Sequence, residues 1–154
     1  MLRQGAAGGV SRVCSAVVVH NEILKRRPDL LARLYEPFTV SWQNNEPVGM
    51  QPWYNLPVFG RIGDDMTIAY VRTNITWAAR NVGAPPLTET EIEAVELVGS
   101  EAAEEGMWVE RRFPAGTMWF ANNQTMLHMP NRGAGLHDGL SRFGVAILER
   151  CDTF

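Results

Sequence analysis

Residues 11–35 have the hydrophobic spacing of helices. The apolar positions that recur every three or four residues are Val13, Ala16, Val17, Ile23 and Leu24. This spacing predicts a helix that Ser11 opens and that runs through Lys25. Pro28-Asp29 then has the composition of a helix first turn, which predicts a short second helix over residues 30–35.

From residue 38 the pattern changes to short runs typical of strands. Residues 38–42, 57–62 and 66–71 are three such runs, and the last two flank Gly63-Asp64-Asp65, which is a hairpin signal. A loop rich in turn-forming residues is predicted between the first two runs, over residues 44–52.

One later helix is predicted from its capping residues. Thr88 is followed three residues on by Glu91, which predicts a capping box at the start of a helix that runs towards Glu105 and stops at Gly106. After this helix the pattern predicts strands joined by turns, over residues 107–113, 117–121, 125–128 and 142–149.

These elements predict a single domain, mainly β with helices (α+β). Short antiparallel strands with helices grouped towards the N-terminus favour a β-sandwich or jelly roll that has its helices packed outside. The composition agrees, because 154 residues with 45% hydrophobic content suit one globular domain with a modest core.

Charge and cysteine content narrow the class of partner. The formal net charge is −3 and the basic runs Lys25-Arg26-Arg27 and Arg111-Arg112 are short, so we expect solvated surface rather than a nucleic-acid groove. No apolar run approaches the ~20 residues that span a bilayer. Cys14 and Cys151 make no disulfide framework. We expect a reduced, cytoplasmic protein that binds a small molecule, with homo-oligomerisation left open.

Three residues have the chemistry of a ligand site. His128 ends a predicted strand after a tight turn, where neutral imidazole suits a metal, although its position alone favours a histidine that is simply hydrogen-bonded at a strand end. Arg142 opens the next predicted strand among apolar neighbours, so its guanidinium needs a carboxylate from a ligand or from an acid such as Glu149 or Asp138. Ser11 follows Gly8-Gly9 and is predicted to cap a helix or to donate to an anionic ligand.

Six segments and one single residue resemble the taurine dioxygenase (TauD/TfdA-like) family in their order and spacing. They are Gly8-Gly9-Val10-Ser11, Pro28-Asp29-Leu30-Leu31, Pro57-Val58-Phe59 with Tyr70-Val71-Arg72, Ala84-Pro85-Pro86-Leu87-Thr88, Asn122-Asn123-Gln124-Thr125-Met126-Leu127-His128, and Arg142. The resemblance covers nearly the whole chain.

The resemblance implies an iron(II)- and 2-oxoglutarate-dependent dioxygenase that hydroxylates a small organic substrate. Its fold is the double-stranded β-helix, the jelly roll of clavaminate synthase-like proteins. By resemblance, His128 matches the distal histidine of the iron triad of two histidines and one carboxylate. Arg142 matches the arginine that pairs with the distal carboxylate of 2-oxoglutarate, and Ser11 matches a second contact to the same carboxylate.

The other two iron ligands of that family come from a His-x-Asp motif upstream of the Gly-Gly-x-Thr/Ser stretch. The seven residues before Gly8 contain neither histidine nor aspartate. We therefore expect residues 1–154 to be the C-terminal portion of the domain, a partial double-stranded β-helix. A catalytically inactive remnant or a binding module with a vestigial 2-oxoglutarate pocket is the alternative.

Two other segments contain a histidine close to an acidic residue, the residue types that can chelate a metal. His20-Asn21-Glu22 lies inside the predicted helix, where residues two apart point about 200° away from each other and cannot chelate one ion. His20 is therefore predicted to pack against the core or another helix. His137-Asp138 lies in a loop, and adjacent residues rarely bind one metal well.

Overall fold

The computed structural model describes residues 10–113 and 117–129. Within them the chain forms four helices and seven strands. In chain order they are β1 Val10–Ser15, α1 Ala16–Arg26, α2 Pro28–Leu34, β2 Pro37–Ser41, β3 Trp53–Pro57, β4 Phe59–Ile62, β5 Asp65–Ile68, α3 Arg72–Ala78, α4 Glu89–Ala103, β6 Trp108–Arg112 and β7 Met126–Met129.

The described strands form three antiparallel sheets. The largest has three strands in the order β6-β1-β7, so β1 is central and is paired on both sides. The strands β2 and β3 form one two-stranded sheet, and β4 and β5 form the other. The fold is therefore mixed α and β with antiparallel sheets, and the jelly roll stays a prediction.

The prediction that the first helix begins at Ser11 was wrong. Ser11 lies in β1, and α1 begins only at Ala16, after Ser15 in extended conformation with φ −73° and ψ 126°. The reason is the double pairing of β1, whose residues face partners in β6 on one side and β7 on the other. Ser11 is therefore not the N-cap of α1, which begins five residues later at Ala16.

Local signals predicted the other elements more closely. The capping box is confirmed, since the Thr88 backbone N–H donates to Glu91 and the Glu91 backbone N–H donates to the Thr88 hydroxyl. Gly106 follows α4 with φ +86°, a conformation that favours glycine. The β4-β5 hairpin is also confirmed, with Ile62 opposite Asp65 and Gly63 at φ +60° in the turn.

Other predictions differ from the structure or fall outside its described part. Residues 117–121 were predicted as a strand, but they form no strand. Strand β3 and helix α3 were not predicted. The predicted strand over residues 142–149, together with Arg142, His137-Asp138 and Cys151, lies outside the described residues.

A single hydrophobic cluster joins the helices to one face of the main sheet. Helices α1, α2 and α4 pack on one another, and the cluster includes Val19 and Ile23 of α1 and Val98 of α4. From the sheet it includes Cys14 and Leu127, which are 1% and 8% exposed. One face of the three-stranded sheet therefore packs against the helices and forms part of the core.

Ion pairs fasten the acidic helix α4 to its neighbours. The short basic run keeps its predicted surface position, but two of its members pair with α4: Arg26 with Glu101 and Glu104, and Arg27 with Glu93. No helix in the described part of the chain has both the length and the apolar character needed to cross a membrane.

Candidate functional site

His128 lies in strand β7, directly opposite Val13 of the central strand β1. Its imidazole Nε2 is 3.0 Å from Oδ1 of Asn123. The indole ring of Trp119 meets the imidazole edge-on, with 4.9 Å between ring centroids and 64° between the planes. His128 is therefore held by an amide and an aromatic ring.

The strand register brings Ser11 and His128 to the same face of the sheet. Side chains alternate between the two faces of a strand, so Ser11 and Val13 point to one face and Cys14 to the other. Because Val13 and His128 are a cross-strand pair, His128 shares the face of Ser11. The two residues are diagonal neighbours, for which a separation of about 7–8 Å is typical.

This face, which we call the open face, is the one opposite the helical core. Cross-strand pairing adds Arg111, opposite Ser11, and Val109, opposite Val13. Val109 is 56% exposed, in contrast to the buried Cys14 on the core side. The open face therefore combines a hydroxyl, a guanidinium, apolar side chains and an imidazole.

The environment of His128 favours the neutral imidazole. Partial desolvation lowers the pKa of His128 from its usual value. The adjacent ring of Trp119 is consistent with this, because it withdraws one side of the imidazole from water. The neutral form is the one that binds a metal.

The described residues do not supply a complete iron centre. In residues 10–113 and 117–129, no group of three histidine, cysteine, aspartate or glutamate side chains is close enough to hold a metal ion. Glu110 of β6 does not help, because it lies opposite Arg12 on the core-side face and pairs with it at 2.6 Å. His128 is thus one potential ligand, and Arg142 lies outside the described residues.

His20 packs as predicted and does not chelate with Glu22. Its Nε2 is 3.0 Å from the Tyr35 hydroxyl, and its ring meets Phe59 edge-on at 5.2 Å. Glu22 instead pairs with Lys25 at 2.6 Å. The interpretation of His20 as a packing histidine is confirmed.

Two residues beside His128 were missed by sequence reasoning. Asn122-Asn123 was predicted only as a turn, and Trp119 was placed in a strand that does not form. The contacts of Asn123 and Trp119 with His128 depend on the path of the chain between β6 and β7. No spacing of residues in the sequence indicates that path. The only signal was the presence of an amide five residues before the histidine.

Comparison with known proteins identifies the family. The profile described as "Taurine catabolism dioxygenase TauD, TfdA family" matches residues 1–148. The chain belongs to the TauD/TfdA family. By its description, this is a family of dioxygenases.

The chain also has a distant likeness to one curated protein. The chain is 25% identical over 136 residues to FR-33289 synthase of Streptomyces rubellomurinus (strain ATCC 31215). The match covers 86% of this chain but 39% of the relative. This TauD/TfdA chain therefore spans well under half the length of the curated relative that it matches.

Proposed function

We propose that the chain contributes the 2-oxoglutarate pocket and one iron ligand of an Fe(II)- and 2-oxoglutarate-dependent dioxygenase that hydroxylates a small organic substrate. In this proposal His128 binds the iron, and Ser11 and Arg142 hold the distal carboxylate of 2-oxoglutarate. The observation that supports it is the register of β1 and β7, which gives Ser11 and His128 one shared face. When bound, iron and 2-oxoglutarate supply the oxidising chemistry.

The residue types assigned to this pocket, a serine and an arginine, suit a carboxylate. A serine hydroxyl donates one hydrogen bond, and an arginine fork donates two to the same carboxylate. Val13, the next residue after Ser11 on this face of β1, lies opposite His128, so an apolar side chain adjoins both the hydroxyl and the imidazole. The neutral His128 leaves a nitrogen lone pair for a metal.

The described residues also limit what we expect of the 154-residue chain. They provide one metal ligand, whereas the iron triad needs three. We therefore expect the chain to hold Fe(II) weakly, well below one ion per molecule after desalting. Protein that retains stoichiometric iron would refute this expectation.

The test is anaerobic calorimetric titration of the 154-residue protein with 2-oxoglutarate, with and without added Fe(II). We expect Fe(II) to strengthen 2-oxoglutarate binding and His128→Ala to abolish that gain. Arg142→Gln should weaken binding about 10- to 100-fold, the equivalent of about 1.5–3 kcal/mol for a hydrogen bond to a charged group. Ser11→Ala should weaken it less.

The matched control is Arg12→Gln, which removes a guanidinium from β1 on the face opposite to Ser11. It should leave 2-oxoglutarate binding unchanged. Binding that ignores both Fe(II) and His128 would instead support the second candidate, a non-catalytic carboxylate-binding module, which the incomplete ligand set of the described residues favours. Absence of 2-oxoglutarate binding under both conditions would refute the two candidates together.

A further inference from the structure

We propose that Ser11 and Arg111 form a carboxylate-binding pair on the open face that needs neither iron nor Arg142. The two residues are directly opposite each other in β1 and β6. Residues paired in this way have Cβ atoms about 4.5–5.5 Å apart, so the hydroxyl and the guanidinium can reach the same carboxylate. The inference rests on the proposed function for the choice of ligand, which is a dicarboxylate.

The contacts of strand β6 show which way Arg111 points. Its neighbours Trp108 and Glu110 both contact Arg12 of β1. The Arg12 guanidinium carbon is 4.0 Å from the Trp108 ring centroid, and the Arg12 Nε is 2.6 Å from the Glu110 carboxylate. These three side chains therefore share the core-side face. Since side chains alternate along a strand, Arg111 points to the open face, together with Ser11.

The guanidinium of Arg111 has no counter-charge on the open face. The other positions of β1, β6 and β7 on this face are Ser11, Val13, Ser15, Val109, Met126 and His128. None of these residues is acidic. In the described part of the chain no acidic side chain pairs with Arg111, whereas Arg12 and Arg72 each pair with a glutamate. The fork of Arg111 is therefore left for an anion, and its geometry matches a carboxylate.

The indole of Trp119 covers this part of the sheet. Its ring centroid is 4.9 Å from that of His128 in β7 and 5.6 Å from that of Phe113, which directly follows β6. Because β1 lies between β6 and β7, a ring that contacts both sides crosses β1 on the open face. The strand register places this crossing within residues 10–13, where Ser11 is half-buried. Hydrogen bonds to a carboxylate are stronger where a ring shields them from water.

The test is calorimetric titration of the 154-residue protein with glutarate in the presence of EDTA. Glutarate has both carboxylates of 2-oxoglutarate but lacks the 2-oxo group, so its binding does not depend on chelation of a metal. We expect Arg111→Gln to weaken glutarate binding about 10- to 100-fold, the usual effect of losing a hydrogen bond to a charged group. Arg111→Lys keeps the charge without the fork and should weaken it less. Ser11→Ala, which removes one donor, should also weaken it less.

The matched control is Arg112→Gln, which removes the same charge from the next residue of β6, on the opposite face. It should leave glutarate binding unchanged. Equal weakening by Arg111→Gln and Arg112→Gln would reduce the effect to overall charge and overturn the proposal, and so would a native chain that does not bind glutarate. Thermal unfolding checks that each variant is folded, and Arg111→Lys provides the same comparison where Arg111→Gln does not fold.

Tryptophan fluorescence locates the bound glutarate. The emission of the native chain should change when glutarate is added, and Trp119→Phe should lose this change while calorimetry still detects binding. A change that persists in Trp119→Phe would mean that glutarate binds away from the open face, against the proposal.

The same variants separate this inference from the proposed function. If Arg142→Gln loses 2-oxoglutarate affinity while Arg111→Gln keeps full affinity for glutarate, the pair is wrong and the dioxygenase proposal stands. If Arg111→Gln loses glutarate affinity while 2-oxoglutarate binding ignores both Fe(II) and His128→Ala, the pair is supported and the dioxygenase proposal is wrong.

Discussion

The contact between Tyr70 and helix α4 offers a sharp test of the packing. The Tyr70 hydroxyl donates to the backbone carbonyl of Val95 at 3.0 Å. A Cβ atom added at Gly99, one turn further along α4, would lie 3.0 Å from the same hydroxyl oxygen. Glycine at this position is therefore explained by the hydroxyl and not by backbone conformation.

The expected free energies follow from opposing effects. Alanine in place of glycine inside a helix stabilises by about 1 kcal/mol, but overpacking costs typically 1–3 kcal/mol. We expect Gly99→Ala to destabilise the native protein by about 1 kcal/mol. Tyr70→Phe should cost about 1 kcal/mol for the lost hydrogen bond. In the Tyr70→Phe background, Gly99→Ala should become stabilising, because the clashing oxygen is gone.

The assay is urea unfolding followed by tryptophan fluorescence for the two single variants, the double variant and the native chain. The coupling free energy from this cycle should be about 1–2 kcal/mol, within the range for residues in contact. Ser100→Ala, an exposed neighbour in α4, is the control for helix propensity and should stabilise by a few tenths of a kcal/mol at most. If Gly99→Ala stabilises equally in both backgrounds, the contact is not the reason for the glycine.

Three further outcomes are expected of the described residues. Burial raises the pKa of Tyr70 to about 12, above the ordinary value near 10, so the unfolded chain loses this proton first. The contribution of Tyr70 to the free energy of unfolding should be fully present below pH 10 and should be lost between pH 10 and 12, as measured by urea unfolding at each pH. Tyr70→Phe should make the free energy of unfolding less dependent on pH in this range. Arg26→Ala should lower the urea midpoint clearly more than Arg27→Ala, because it strands Glu101, which is 3% exposed, whereas the partners of Arg27 are exposed. Thr88→Ala should cost about 1 kcal/mol by removing the cap of α4, and circular dichroism during unfolding would show whether it does.

Elements with a local cause were predictable from the sequence. The capping box of Thr88 and Glu91 and the hairpin at Gly63 depend on residues a few positions apart. Strand β1 could not be predicted in this way, because its partners in β6 and β7 lie about 100 residues further along the chain. The apolar spacing of α1 continues into β1, so a helical period predicted one element where there are two.

In the candidate site, too, some features were predictable from the sequence and others were not. Ser11 and His128 could be selected from their chemistry and from the family resemblance. Their common face could not, since it requires the register Val13 opposite His128. The contacts of Asn123 and Trp119 with His128 depend on the path between β6 and β7, where sequence reasoning predicted a strand at residues 117–121 that does not form.

The register that creates the open face is enforced from the opposite side of the sheet. Cys14 and Leu127 are cross-strand partners, and both are buried in the helical core. A slip of one residue in β1 would bring the polar Ser11 to the core side and expose Cys14, because every side chain of the strand would change face. The apolar pattern thus holds Ser11 and His128 on one face without any contact between them.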